Sequence, residues 1–395
     1  MKIYDVLVIG KGLVGTATAK YVSMTHGSVA IVGPDEPADY QEAIVFASHY
    51  DQARVQRIIG KDEVWTRLNL DSVAEYDALQ KQTNIHFHEP VGCLYVNPYG
   101  EDEYLSNAIA LSKNFHQTPR FLNTAADIKL VYQHFNFPTK AQGLMETAPA
   151  GHINPSKLVE AQLFAFKKNG GEVIHDTVVK LKKEMDLFIV TTHSGQQLHA
   201  KKVIVATGSF LNVTNLLPQK VKLQTKNEVV ILVKIDASQL HEYDNMPSLL
   251  YEKNEEGVDG IYVLKPVQYP DGNYYLKLGC NMPNDCYYDT LEQIQSWFKE
   301  ADTKPFESYL LKEIQLLFPS LVIHEYELKK CIISRTTHGR PIIGETSQKG
   351  LYLSGGCNGY SAMCSDALGK VTSHLIEKGQ FPEGYTSSDF EIVYQ

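Results

Sequence analysis

Gly10, Gly12 and Gly15 stand as G-x-G-x-x-G within "VLVIGKGLVG". In that spacing the first glycine permits a tight turn, the second lets the backbone approach a pyrophosphate, and the third lets a helix pack closely on a strand. The run "YDVLVIG" suits a strand buried on both faces, and "LVGTATAKYVSMTHG" has helical spacing with a stop at Gly27. The start of that helix, at Leu13, Val14 and Gly15, would turn unpaired N–H groups and a partial positive charge toward phosphates. Dinucleotide binding is therefore expected. The acid that normally ends the second strand of such a unit is missing. "VAIVG" closes on Gly33, with Asp35 and Glu36 just beyond, either able to bend back to a ribose. The loop by itself does not separate FAD from NAD.

Three further stretches carry side chains fit for chemistry. Cys331 lies in "LKKCIISRTTHGRPIIGE". A cysteine in an apolar run is commonly a small hydrophobe, but cationic neighbours favour the reactive thiolate, and Lys329, Lys330, Arg335 and His49 are candidates for that neighbourhood. Lys277 lies in "YYLKLGC", where an ammonium is costly to bury without a partner. Tyr275 and Lys277 share one parity and Leu276 and Leu278 the other, so alternation alone puts Lys277 on an exposed face. Arg54 and Arg57, in "ASHYDQARVQRI", are three residues apart and would share one side of a helix. A guanidinium is well shaped for a carboxylate.

The elements that must position these residues read as an α/β chain. At 395 residues two domains are expected. "SVAIVG" completes an opening βαβ unit, "INPSKLVEAQLFAFKKNGGEVI" reads as helix then strand, and "KKVIVATGSF" as another buried strand. Strands rich in aromatics ("NEVVILVKID", "GIYVLKPVQY", "NYYLKLGC") and two amphipathic helices follow. After them come "RPIIGE", "GLYLSGG" and a helix over about 361–377. The expected fold is a Rossmann-like nucleotide-binding domain from residues 1–80, 150–215 and 330–395. A substrate domain from 81–149 and 216–329, α+β on a mixed, mostly antiparallel sheet, is inserted into it. The net charge of -9 argues against a nucleic-acid or anionic-membrane partner. The opening apolar run is too short for a signal peptide, and no segment nears the roughly 18 apolar residues of a membrane span. Six cysteines without a C-x-x-C pair suggest neither a disulfide framework nor a metal site. A cytoplasmic protein is expected.

Several stretches resemble the D-amino-acid oxidase superfamily, with monomeric sarcosine oxidase and glycine oxidase nearest in motifs. They are "ASHYDQARVQRI", "GHINPSKLVEA", "VIVATGSF", "YYLKLGC", "CIISRTTHGRPIIG" and "LSGGCNGYSAMCSDALGKV". The resemblance runs from residue 4 to about 377. It implies FAD, oxidation of a C–N bond in an amine or amino acid to an imine, and reoxidation by O2 with release of hydrogen peroxide. It assigns Lys277 a place beside the flavin, where its charge would stabilise developing superoxide. Arg54 would lie near the flavin and Arg57 would pair with the substrate carboxylate, with Arg335 as a further candidate for it. Cys331 aligns with a cysteine that forms a thioether to the flavin, although many members bind FAD without a link. To the cofactor it further assigns Ser48, His49, Val178, Thr207, Gly208, Gly356, Asn358, Gly359 and Tyr360.

The chain also departs from the sarcosine oxidase pattern. A second carboxylate-binding lysine falls at Met363, a histidine near the catalytic lysine at Asn281, an active-site tyrosine at Ile333, and a threonine at Ala53. Sarcosine itself is therefore not the expected substrate, and Tyr50, Tyr262 and Tyr360 are candidates to line a changed pocket. No acid or base is obvious. A flavin dehydrogenase with another electron acceptor, or a non-catalytic FAD-binding subunit, remain alternatives to an oxidase.

Overall fold

The computed structural model describes residues 2–100 and 103–395. Its first layer grows from the strand Ile3–Ile9, which pairs in parallel with Val29–Val32 on one side and Gln197–Val205 on the other. Glu172–Ile174 and Leu351–Gly355 extend the parallel arrangement on the two flanks of an eight-stranded sheet. The first strand is apolar on both faces because both are covered. Val6 and Val8 pack with Ala19, Val22 and Phe166 of the covering helices, while Leu7 and Ile9 pack with Val190 and Leu198.

Three helices lock together behind this sheet. Leu13–Val22 lies against Ser365–Lys378 so closely that a Cβ at Gly369 would be 2.5 Å from Ala17. Asp366, fully buried, accepts from Lys20 Nζ and Tyr21 Oη at 2.6 Å each, and from Gln162 Nε2 of the helix Pro155–Lys168 at 3.1 Å. The last helix starts at Ser365, a turn later than its apolar spacing suggests, because residues 360–364 form turns around the cavity. A further helix of 21 residues, Glu63–Thr83, is capped by the Asp62 side chain.

The second, nine-stranded sheet is mixed and mostly antiparallel, with Ser248–Glu255 parallel to Cys93–Asn97 as its parallel pair. Its long strand Leu223–Ile235 is flanked by Tyr274–Asn281, which bears Lys277, and by Tyr326–Thr336, which bears Cys331. Trp297, Phe306 and Leu310 of the two amphipathic helices cover one face of it. The segment Arg54–Gln56 is a short strand paired with Gly151–Ile153, not a helix, because its backbone is drawn into a small third sheet. Among the described residues no helix is long and apolar enough to cross a membrane.

The Asp366 cluster generates a stability prediction. Asp366→Ala strands a buried ammonium, and loss of one partner of a buried ion pair costs ~3–5 kcal/mol. The urea midpoint should fall accordingly with little change in slope; an unchanged midpoint would show that Lys20 finds water.

Candidate active site

A cavity of about 650 Å³ runs between the two large sheets. At one end is the glycine loop. Gly10 has φ 111°, and a Cβ on it would lie 2.3 Å from the Ala206 carbonyl oxygen. A Cβ on Gly15 would lie 1.8 Å from the Gly10 oxygen, so strand and helix meet there without room for a side chain. At Gly12 the nearest atom is His49 Nδ1 at 3.8 Å, which leaves open space facing the uncapped start of the helix. His49 Nδ1, Thr207 Oγ1 and the Tyr50 hydroxyl are buried there without a hydrogen-bond partner. Burial, with Lys11 and Arg54 adding to it, pulls the His49 pKa down to about 3, so the ring is neutral. Orphan polar atoms, an uncapped helix start and an empty cradle over Gly12 fit a dinucleotide.

Of the two acids after the second strand, Asp35 is held by Lys11 and by His175 Nδ1, the latter at 2.7 Å. Glu36 lines the cavity instead. Tyr50, expected in the substrate pocket, belongs to this nucleotide end. Burial, then Glu36 and Tyr40 beside it, push its pKa above the usual phenol range.

The middle of the cavity is organised by Asp51. Its carboxylate contacts both Lys277 Nζ and Arg54, and accepts from the Tyr269 hydroxyl at 2.6 Å and the Gln52 N–H at 2.8 Å. Lys277 also donates to the Ala53 carbonyl at 3.1 Å. Alternation put Lys277 on an exposed face, but it is 0% exposed. The strand is buried on both sides, one by the apolar core and the other by this cluster. Burial lowers the Lys277 pKa and Arg54 lowers it further, while direct contact with Asp51 favours the ammonium. Two cations thus share one carboxylate in the middle of the cavity.

Cys331 faces the same space and sits opposite Glu228 in the strand pairing. Burial raises its thiol pKa, and Arg54 and Lys277 act against that. Glu228 lines the cavity and accepts from the Tyr262 hydroxyl at 3.2 Å. A Cβ at Gly279 would be 2.5 Å from that hydroxyl, so glycine there lets Tyr262 lie across the lysine strand. Asp51 and Glu228 were missed by the sequence reading. The signal for Glu228 was the one that singled out Lys277, a lone charge in an apolar strand.

At the far end Arg57 is 4% exposed. One of its nitrogens donates to the Tyr104 hydroxyl at 2.7 Å, and its Nε has no partner. Tyr360 lies 5.2 Å from the guanidinium, and Tyr95 stacks on Tyr104 at 4.0 Å. Arg54 and Arg57 diverge, since in an extended segment residues three apart point to opposite sides. Behind Arg57, Glu146 accepts from the N–H groups of Ile58 at 3.1 Å and Ile59 at 2.7 Å. Burial raises its pKa to about 7 against the pull of those bonds and of Arg57.

Ser48, Leu13, Val14, Val178, Gly208 and Gly359 also line the cavity, as do the apolar Ile333 and Met363. Gly356 and Asn358 stand behind its wall, where Asn358 Oδ1 accepts from the Thr336 N–H at 2.9 Å and ties the glycine turn to the cysteine strand. Arg335 is not brought to the cavity. It donates to Asn281 Oδ1 at 2.8 Å, an oxygen that Lys226 Nζ also reaches at 2.8 Å.

The open space at Gly12 gives a direct expectation. Gly12→Val should fold yet yield no dinucleotide, free or peptide-bound, when the protein is digested and the products are separated by chromatography. A full complement of nucleotide from this variant would overturn the loop's assignment.

The fold is shared with several solved proteins at low sequence identity. NikD, an amino acid oxidase of nikkomycin biosynthesis, aligns with TM-score 0.77 at 16% identity over 100% of this chain and 98% of its own. Glycine oxidase from Geobacillus kaustophilus aligns with TM-score 0.73 at 16% identity over 100% and 99%. L-proline dehydrogenase from P. horikoshii aligns with TM-score 0.76 at 16% identity over 97% and 95%. In sequence, the chain is 25% identical to the N-methyl-L-tryptophan oxidase of Yersinia pestis (strain Pestoides F) over 217 residues, which are 54% of this chain and 56% of that relative. The chain thus spans about half the length of the curated relatives it matches. Residues 5–375 match the family described as DAO, FAD dependent oxidoreductase, and the chain, whose glycine cradle and orphan buried donors fit that cofactor, belongs to this family of FAD-dependent oxidoreductases.

Proposed function

We propose that the chain oxidises the C–N bond of an amino acid or N-alkyl amino acid to the imine, with O2 as final acceptor. The observation that carries this reading is Arg57, a guanidinium buried at the cavity wall that pairs with no carboxylate among the described residues. A substrate carboxylate would satisfy it, for a charge-assisted bond to a buried group is otherwise missing. The tyrosines around Arg57 suit an apolar or aromatic side chain, in line with the N-methyl-L-tryptophan oxidase named above. FAD, when bound, supplies the acceptor for the substrate's α-hydrogen. The chain's own residues orient the substrate through Arg57, exclude water with Tyr104, Tyr262 and Tyr360, and hold positive charge at Lys277. Glu228, hydrogen-bonded to Tyr262, offers a carboxylate that could take the amine's proton.

The test is anaerobic bleaching of the flavin by a panel of amino acids, their N-methyl derivatives and amines that lack a carboxylate. Bleaching by aromatic N-methyl amino acids, and not by the simple amines, is expected. A flavin that no amine or amino acid reduces would mean a non-catalytic FAD protein. A dehydrogenase is the second reading, favoured by the likeness to L-proline dehydrogenase, and absence of peroxide during aerobic turnover would support it.

Three predictions attach to this reading. If Cys331 links to FAD, acid-precipitated protein stays yellow and Cys331→Ser releases its flavin to the supernatant; a colourless wild-type pellet would return the cysteine to packing. Lys277→Met should slow reaction of reduced flavin with O2 roughly 100-fold, about 2.7 kcal/mol of transition-state stabilisation, and change anaerobic reduction by roughly tenfold at most. Stopped-flow measurement of the two half-reactions separates these, and equal loss in both would remove the lysine's special part in reoxidation. Glu146 should titrate near neutrality. Its folded pKa is raised to about 7, so the group is neutral below that pH and adds negative charge behind Arg57 above it. KM for a carboxylate substrate should therefore rise roughly fivefold, about 1 kcal/mol, as pH passes upward through 7. Glu146→Gln should flatten that part of the profile; an identical profile in the variant would assign the change to the substrate's amine.

A further inference from the structure

Four residues beyond Arg57, Lys61 reaches the same end of the cavity. Its ammonium lies 4.7 Å from the centroid of the Tyr360 ring, and the Arg57 guanidinium lies 5.2 Å from that centroid. Among the described residues no carboxylate forms an ion pair with either cation. The acid nearest in effect, Glu146, has both oxygens taken by backbone N–H groups and is half protonated near neutrality.

The backbone at Lys61 is held by its surroundings, and its side chain is exposed. Its carbonyl accepts from Asn107 Nδ2 at 3.0 Å, and the preceding Gly60 N–H donates to Thr66 Oγ1 at 2.9 Å. A Cβ on Gly60 would lie 2.4 Å from the Trp65 Cβ, so the chain turns there against the helix start. Trp65 in turn meets Tyr360 edge-on at 5.6 Å. The corner thus presents two cations around one ring, one buried and one exposed, and among the described residues neither pairs with a carboxylate. Met363, which also lines the cavity, is apolar and 5% exposed. Cations gathered in a partly desolvated site without an acid call for an anion from outside the chain.

We infer that Lys61 is the second anchor for the substrate carboxylate, closing on it from the open side while Arg57 holds it from the buried side. This rests on the amino-acid reading above and narrows it. The ligand is an α-carboxylate whose apolar or aromatic side chain lies against Tyr95, Tyr104 and Tyr360, and a cationic side chain at this end is disfavoured. Lys61 is a specificity-determining residue and takes no part in electron transfer.

The test uses the flavin-loaded protein and two readouts. The first is the affinity for indole-3-acetate, a carboxylate without an amine, followed by perturbation of the flavin's visible spectrum. Lys61→Met should weaken it roughly 5- to 20-fold at low ionic strength, Lys61→Glu more, and Lys61→Arg should restore it. The gap between wild type and Lys61→Met should narrow as salt is added, because the ammonium is exposed. In the second readout, the limiting rate of anaerobic flavin reduction by the best amino acid should stay within roughly twofold while its half-saturating concentration rises in parallel. Weakening by Arg57→Ala but not by Lys61→Met would overturn the inference and leave the amino-acid reading standing. If neither substitution moves the affinity, the carboxylate reading falls with it.

Discussion

The cavity is built around one carboxylate that two cations share. Asp51 holds Lys277 from the second sheet and Arg54 from its own segment, and Tyr269 completes its shell. Ser156, at the start of the helix Pro155–Lys168, donates to the carbonyls of both His49 and Asp51, so the same few residues are moored to the nucleotide-binding layer. Without this carboxylate the fully buried Lys277 ammonium would lose its direct ion-pair partner, the costly way to break a buried pair. The close approach of the two layers, and hence the cavity between them, depends on that contact.

Charge varies along the cavity in a way the chain's composition conceals. The protein carries a net charge of -9, yet its interior groove is cationic from Arg54 and Lys277 through Arg57 to Lys61. The nucleotide end is different, with a neutral His49 and backbone N–H groups serving where a full charge is not needed. Among the acids that face the groove, Asp51 is tied down by Lys277 and Arg54 and Glu228 by Tyr262, while Asp35 is drawn away from it by Lys11 and His175. An acidic exterior around a basic groove focuses anionic small molecules inward while discouraging polyanions.

The sequence made the glycine loop legible because its physics is local: turn, approach and packing all fall within six residues. The large sheets were legible for a related reason, since their strands are apolar runs bounded by turns. Residues whose meaning is set by tertiary contact were harder. Lys277 alternates with leucines as an exposed residue would, and only the cluster on its far side reveals that both faces are covered. Tyr50 lies beside His49, Glu36 and Tyr40, toward the glycine loop, and position in the chain does not say which end of a long cavity a residue faces. Arg54 and Arg57 looked like one helical face until a third small sheet drew the segment into extended form and turned them apart. Asp51, Glu146 and Glu228 are isolated acids with no spacing to announce them, and Arg335 matched a motif but bonds Asn281 outside the cavity.

The strand Leu223–Ile235 pairs with the cysteine strand over Leu223–Val233 and with the lysine strand over Val230–Ile235. Lys277, Glu228 and Cys331 therefore ride on one continuous ladder and cannot shift relative to one another without breaking it. The opposite wall is assembled differently, from the short corner at residues 57–61, one helix bearing Tyr104 and the turn bearing Tyr360. Such a division makes the scaffold modular. The ladder side can stay fixed while the corner side is rewritten a few residues at a time, so a library confined to Lys61, Tyr104 and Tyr360 would reshape that wall without disturbing Lys277, Glu228 or Cys331.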